Sequence, residues 1–300
     1  MLKPFIALLL FMWVVVPASA AQPDLKGDFV QGGLVQGHTV PGTKISLNGR
    51  LVTVTPDGRF VLGFGRDAPE TNILQSVTAA GKRLVRTLKI KKRQYRIQRI
   101  DGLPRKMVTL SAAALLRVRV EGNAISAARA VFTPVPHFAG GFIWPAKGRI
   151  SGVYGSQRIL NGEPRRPHLG IDIAAPTGTP VVAAAPGMVT LANTDMYFTG
   201  GTVIIDHGHG LSTVYSHLSA ISAKLGQMVK QGENVGKVGS TGRSTGPHLD
   251  WRVNWFQERL DPRLLVGSMP KLGSVGAFSR GDWGACPSAG ETTSIVRGGR

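Results

Sequence analysis

The sequence has few cysteines, few acidic residues and few long apolar runs. Cys286 is the only cysteine among 300 residues, so no disulfide can form within the chain and stability must come from a buried core. Only 17 acidic residues accompany 36 basic ones, which gives a formal net charge of +19. Such an excess predicts a negatively charged partner or surface. The alternative, that much of this charge only keeps the chain soluble, stays open.

The longest apolar run lies near the amino terminus, and no later run reaches the length of a membrane span. Lys3 precedes this run, and Ala18-Ser19-Ala20 supplies the small residues of a cleavage site. We therefore expect a signal peptide over residues 1–20 and a periplasmic or secreted protein with no transmembrane anchor. No cysteine follows the run, so no lipid anchor is expected either. No nucleic-acid motif accompanies the positive charge, which favours an anionic wall polymer or membrane surface over nucleic acid.

The pattern of the amino-terminal third predicts short strands. Apolar residues alternate between turn signals such as Asn48-Gly49 and Asp57-Gly58, which predict hairpins. We interpret residues 21–108 as a small antiparallel β-sandwich of immunoglobulin-like type. The basic segment Lys89–Arg99 also alternates, as a half-exposed strand does, and its charges suit a solvated face or a ligand site.

A helix and an all-β domain are predicted to follow. Residues 109–142 are interpreted as a helical spacer and linker, with Thr109 or Ser111 as the helix cap. Residues 143–265 contain dense short strands separated by glycine and proline, without a helical pattern. Residues 266–300 are rich in glycine, serine and arginine and are expected to form a flexible tail. The predicted fold class is therefore all-β with a short helical spacer.

Three short runs in the all-β domain carry potential metal ligands. They are His168-Leu-Gly-Ile-Asp172, Tyr215-Ser-His217-Leu, and Pro247-His248-Leu-Asp250-Trp. In an extended strand, residues two or four apart point to the same side, so His168 and Asp172 can share a pocket, as can His248 and Asp250. Imidazole nitrogens and carboxylate oxygens suit a tetrahedral zinc ion that keeps one position for water. Such a site performs metal-assisted hydrolysis.

These runs, in this order, resemble the zinc metallopeptidases of the lysostaphin/LytM type, which cut peptide cross-links in peptidoglycan. The resemblance extends over about residues 143–261. It includes the segment from Gly170 to Val181 and the Gly239-Ser-Thr-Gly run. It implies an antiparallel sheet that lines an open groove. It also implies that His168 and Asp172 bind zinc, and that a lone histidine and the first histidine of an H-x-H run are catalytic. Those catalytic positions correspond to His217 and His248.

One position departs from the family pattern. Asp250 stands where the family has the second, zinc-binding histidine of H-x-H. Zinc accepts a carboxylate oxygen at about the same distance as an imidazole nitrogen, so Asp250 is predicted to be the third ligand. This more anionic set should make zinc a weaker Lewis acid and admit manganese or another divalent ion more readily. On the same comparison, an Asp250→His substitution is expected to retain or raise activity.

The sequence thus predicts an exported zinc metalloendopeptidase that acts on peptidoglycan cross-links. The alternative is a degenerate, metal-free domain that binds the cell wall or activates an amidase. Peptidoglycan is the expected partner in both cases, with cell-wall hydrolases or division proteins as further partners. In the enzyme, one catalytic histidine moves protons and the other stabilises the oxyanion, and the sequence leaves open which does which.

Other polar residues near these runs are weaker candidates for a role in the site. His207 and His209 lie in a glycine-rich turn and are expected to support it. A loop before the first run carries side chains that either hold substrate carboxylates or form a plain surface loop. These residues are Arg158, Asn161, Arg165 and Arg166.

Overall fold

The computed structural model describes residues 22–101 and 111–269. The predicted signal peptide, the cap candidate Thr109, Cys286 and most of the predicted tail lie outside these ranges. The predicted all-β fold class is confirmed, because strands dominate and the described ranges contain one α-helix. Within the same ranges, no helix is both long and apolar enough to cross a membrane.

Within residues 22–101, eight strands precede the helix. They form a sheet of order β1-β2-β5, a sheet of order β4-β3-β6-β7, and a parallel pairing of β8 with the later strand β10. Their bounds are β1 (Asp24–Gly27), β2 (Leu34–His38), β3 (Lys44–Leu47), β4 (Arg50–Val52), β5 (Arg59–Gly63), β6 (Thr71–Val77), β7 (Arg83–Lys89) and β8 (Ile97–Ile100).

The predicted Asn48-Gly49 hairpin joins β3 to β4. Both turn residues have positive φ, 48° and 82°, as a two-residue turn of the favoured hand requires. The two small sheets are antiparallel and contribute to one core. Their immunoglobulin-like type stays a prediction.

In the part of the chain that the structure describes, twelve strands follow the helix, and ten of them form the main sheet. The order along this sheet is β17-β14-β15-β16-β19-β12-β9, with β13, β18 and β20 paired at its margins. The bounds are β9 (Arg149–Gly152), β10 (Gln157–Leu160), β11 (Glu163–Pro164), β12 (Ile171–Ala174), β13 (Pro180–Val182), β14 (Gly187–Met196), β15 (Gly200–Gly208), β16 (Leu211–Ile221), β17 (Met228–Val229), β18 (Asn234–Val238), β19 (His248–Trp255) and β20 (Glu258–Leu260).

The two faces of the main sheet differ in chemistry. Alternate residues of β12 and β19, such as Ile173, Leu249 and Trp251, are fully buried on the core face. Period-two alternation sends their neighbours Asp172 and Asp250 to the opposite face. We call this opposite face the polar face.

The α-helix α1 (Ala112–Ala130) lies on part of the polar face. The side chain of Ser111 caps it by accepting a hydrogen bond from the Ala114 amide. Near its other end Ala128 packs on Ile204 and Val214 of the main sheet. Because Val214 is the cross-strand partner of Arg252 on β19, the helix covers the polar face beside that arginine.

The amino-terminal sheets pack against the main sheet near Trp255, at the end of β19. Gly63 lies so close to Trp255 that a Cβ there would be 2.7 Å from the tryptophan side chain. The Arg93 guanidinium forms an ion pair with the buried Asp261 at 2.9 Å. The hydrophobic core runs continuously through both parts. Division of the chain near residues 108 and 142 stays a prediction.

His207 supports the core. Its Nδ1 lies 2.6 Å from the Pro186 carbonyl oxygen and its Nε2 lies 2.7 Å from the Thr213 hydroxyl. Because the ring is buried, the pKa of His207 falls from 6.5 to about 4.

This shift predicts a pH-dependent stability. Between pH 6.5 and about 4 the unfolded chain binds a proton at His207 and the folded chain does not. The free energy of unfolding should therefore decrease as the pH falls through this window, and His207→Gln should reduce that slope. Urea unfolding at a series of pH values measures it. An equal slope in the substituted protein would contradict the prediction.

Candidate metal centre and its groove

The pairing of β12 with β19 brings two carboxylates together. Asp172 and Asp250 are direct partners across these antiparallel strands, so their side chains lie side by side on the polar face. His168 enters from the segment before β12. Its amide donates to the Ser156 carbonyl and its carbonyl accepts from the Gly155 amide, both at 2.7 Å. The predicted ligands therefore come from one strand pair and an anchored segment.

The three predicted ligands converge. One ligand atom from each of His168, Asp172 and Asp250 lies within 4.8 Å of the others, and His168 Nε2 is 3.3 Å from Asp172 Oδ1. Zinc bonds of about 2.0–2.2 Å in a tetrahedron place neighbouring ligand atoms about 3.4 Å apart. His168 Nε2 is also a buried nitrogen that makes no hydrogen bond to any described residue. A buried polar atom without a partner is costly, and a metal ion would satisfy it.

Two glycines leave room for the carboxylates. A Cβ at Gly152 would overlap the side chain of Asp172, and one at Gly170 would lie 2.7 Å from Asp250 Oδ1. Neither position requires positive φ, so glycine is needed here for space and not for backbone freedom. The donor chemistry and the available space both fit a divalent metal ion.

The two carboxylates have different electrostatic surroundings. Burial raises the pKa of Asp172, and the negative charge of Asp250 raises it further. Burial alone would also raise the pKa of Asp250, but the Arg252 guanidinium lowers it to about 2. Asp250 is therefore ionised at neutral pH, and a cation between the carboxylates would relieve their repulsion.

The two predicted catalytic histidines are neighbours at this site. The ring centroids of His217 and His248 are 4.7 Å apart. His217 Nδ1 lies 2.8 Å from the Thr241 carbonyl oxygen, and His248 Nδ1 lies 2.8 Å from the Gly246 carbonyl oxygen. A carbonyl only accepts, so each Nδ1 carries the proton and each Nε2 is left for other chemistry. His248 Nε2 is 3.8 Å from Asp172 Oδ1.

His217 has an unusual backbone. Its φ is +66°, in the left-handed region that residues other than glycine seldom adopt. It lies between Ser216, which pairs with β19, and Leu218, which pairs with β15 and β18. Its amide donates to the Thr199 carbonyl at 2.7 Å. This conformation interrupts the alternation of β16 and brings the imidazole next to His248.

Sequence reasoning missed one residue of the site, Arg252. Its Nε donates to both carboxylate oxygens of Asp250 at 3.0 Å, and its Nη2 donates to Oδ2. The signal was present, because residues 248, 250 and 252 alternate on one face of a strand. The parity that relates His248 to Asp250 therefore also applies to Arg252.

The remaining candidates lie elsewhere. His207 and His209 support the core and the turn, with His209 Nε2 2.8 Å from the Pro134 carbonyl oxygen. The predicted arginine loop is a hairpin of β10 and β11 directly before His168. In it the Arg165 amide donates to the Arg158 carbonyl. A role in binding substrate stays a prediction for its residues.

Comparisons with known proteins agree with this geometry. Residues 166–262 match the family model "Peptidase family M23". The chain is 42% identical over 124 residues to the DD-carboxypeptidase/endopeptidase Mpg of Neisseria meningitidis, covering 41% of this chain and 28% of that protein. It is 41% identical over 109 residues to the peptidoglycan DD-endopeptidase ShyA of Vibrio cholerae, covering 36% and 25%. The chain thus matches little more than a quarter of the length of these relatives.

A solved structure extends the similarity beyond the matched domain. A Pseudomonas aeruginosa protein assigned to peptidase M23 superposes with a TM-score of 0.62 at 30% identity, covering 79% of this chain and 94% of that one. The resemblance to lysostaphin/LytM-type peptidases is therefore confirmed. The chain belongs to peptidase family M23.

Proposed function

We propose that this protein is an exported metalloendopeptidase that hydrolyses peptide cross-links of peptidoglycan, with zinc as its metal. His168, Asp172 and Asp250 would hold the ion, and His217 and His248 would act on the substrate. The convergence of three ligand atoms around the unpartnered His168 Nε2 carries this proposal.

The substrate class is supported by the relatives and by charge. ShyA, which is 41% identical to this chain over 109 residues, is named a peptidoglycan DD-endopeptidase. The match to the family model spans residues 166–262, which contain the site. The net charge of +19 favours a negatively charged polymer. Export, through the predicted signal peptide over residues 1–20, would bring the enzyme to such a polymer.

The chemistry divides between the ion and the histidines. When bound, a divalent ion supplies Lewis-acid polarisation of the scissile carbonyl and lowers the pKa of a water molecule. Burial lowers the pKa of His217, which keeps the ring neutral at pH 7 and suits its Nε2 to accept a proton. The same ring would then pass that proton to the leaving amine. His248 would stabilise the developing oxyanion.

Metal content tests the proposal directly. The purified protein should bind one equivalent of zinc, and Asp172→Ala should bind much less, because it removes a carboxylate at the centre of the ligand set. Elemental analysis after zinc loading and desalting gives the stoichiometry, with Asp24→Ala, an exposed carboxylate in β1, as the control. The zinc-loaded protein should release peptides from isolated peptidoglycan. A metal-free wild type that releases none would favour a wall-binding or regulatory domain.

A second experiment tests whether Gly152 leaves the space that the Asp172 carboxylate needs to bind metal. Gly152→Ala should reduce zinc affinity by about tenfold or more, because the new Cβ displaces the Asp172 carboxylate while the backbone remains allowed. Gly140→Ala is the matched control, since its Cβ would meet nothing within 4 Å. Competition with a chromogenic chelator measures both affinities. Equal affinities for the two variants would show that Gly152 does not shape a metal site.

The histidine pair should separate catalysis from metal binding. His217→Ala and His248→Ala should each keep zinc but lose activity by a factor of about 100 to 10,000, as expected for proton transfer or oxyanion stabilisation. Peptide release from peptidoglycan gives the rate and elemental analysis gives the zinc content. Loss of zinc in either variant would make that histidine a ligand and contradict the assignment.

A further inference from the structure

The metal site contains a carboxylate that already has a cationic partner. Asp250 is 3% exposed, and Arg252 reaches it from two residues further along β19. Arg252 approaches with its Nε facing both oxygens and its Nη2 facing Oδ2, so the guanidinium fork covers one edge of the carboxylate. Within the described ranges, the ion pairs of Arg252 go to Asp250 alone.

The same carboxylate belongs to the predicted ligand set. Asp250 Oδ1 accepts one of these hydrogen bonds and lies over Gly170, where a Cβ would be 2.7 Å away. A carboxylate has about four lone-pair positions on its two oxygens, so Oδ1 retains capacity for a metal bond. Arg252 and a metal ion can therefore share Asp250 without competing for one lone pair.

The charges of the pair cancel. His168, Asp172 and Asp250 together contribute two negative charges, whereas a set with histidine in place of Asp250 contributes one. Arg252 supplies one positive charge directly on Asp250, which restores the net value of the histidine set. A guanidinium remains protonated under all ordinary conditions, so this compensation is permanent.

We propose that Arg252 is a positioning residue, and that Asp250 and Arg252 act together as one neutral metal-binding unit in place of a histidine. This inference rests on the proposed function and deepens it. Arg252 fixes the plane of the carboxylate and cancels its charge, while Asp250 supplies the ligand atom.

Surrounding charges make the pair interdependent. Arg129 donates to the Phe256 carbonyl and Arg259 to the Gln257 carbonyl, and both guanidinium groups repel that of Arg252. If Asp250 became neutral, Arg252 would lie beside a dication among other cations. If Arg252 were removed, Asp250 would be a buried carboxylate facing Asp172 with no group to fix its plane. Each residue alone is therefore unfavourable for metal binding.

A double-mutant cycle in zinc affinity tests this interdependence. Arg252→Gln alone should weaken zinc binding by about 10- to 100-fold, the usual effect of removing a residue that orients a ligand. Asp250→His alone should also weaken it, which reverses the expectation drawn from the family pattern. Adding Arg252→Gln to Asp250→His should strengthen binding by about tenfold or more. The effect of Arg252→Gln on zinc affinity should therefore be opposite with aspartate and with histidine at position 250.

The controls separate this role from general charge and from folding. Arg259→Gln removes a neighbouring guanidinium without touching Asp250, and it should have the same effect with aspartate or histidine at position 250. Arg252→Lys keeps the charge but loses the fork, and it should bind zinc with intermediate affinity. The comparison of wild type, Arg252→Lys and Arg252→Gln needs no histidine variant, so it remains informative if Asp250→His does not fold. Calorimetry with zinc gives the affinities and circular dichroism checks the fold.

The outcomes distinguish this inference from the function on which it rests. A wild type that binds no zinc would overturn the proposed function. A wild type that binds zinc, with equal effects of Arg252→Gln in both backgrounds, would overturn only the role of Arg252. The same holds if Arg252→Gln leaves the affinity of the wild-type background unchanged, or if Asp250→His alone binds zinc as tightly as the wild type.

Discussion

The register of β12 against β19 is the constraint on which the site depends. It pairs Asp172 with Asp250 on the polar face and, on the core face, Ile171 with Trp251 and Ile173 with Leu249. A slip of one residue would send the carboxylates into the core and the apolar side chains to the surface. All four apolar residues are almost completely buried, so the hydrophobic effect holds the register. The core thereby determines the spacing of the predicted ligands, although it touches no metal.

That register has an electrostatic cost, and Arg252 offsets part of it. Two carboxylates side by side on strands repel one another, most strongly where little water reaches them. The two carboxylates differ in their pKa values. The Arg252 guanidinium keeps Asp250 ionised, whereas burial and the charge of Asp250 raise the pKa of Asp172. An apolar pair would avoid this cost. Paired carboxylates with shifted pKa values are one of the ordinary signs of a functional site, where such shifts accompany ligand or proton chemistry.

Strand parity predicted as much of the site as alternation can encode. It brought together His248 with Asp250, and the same rule extended by two residues would have found Arg252. It does not account for His168, which lies in the segment before β12 and not in a strand. It could not predict the left-handed backbone of His217, because that depends on contacts with Thr199 from another strand end. The tautomers of the histidines likewise depend on carbonyls supplied by distant or looped segments. Among the hairpin signals, Asn48-Gly49 joins the paired strands β3 and β4, because a two-residue turn is a local constraint. The hairpin predicted at Asp57-Gly58 is wrong, since that turn connects β4 to β5 and these strands belong to different sheets.

The parts outside the site cover one end of the main sheet. The amino-terminal sheets pack on the core face near Trp255, and α1 packs on the polar face near Val214. Both therefore cover the end of β19 that is distant from His248. Ile204 and Val214 would otherwise leave an apolar patch beside Arg252, and such a patch on a polar face is unfavourable in water. The helix buries this patch, whereas the histidines and the two carboxylates lie nearer the His248 end of β19.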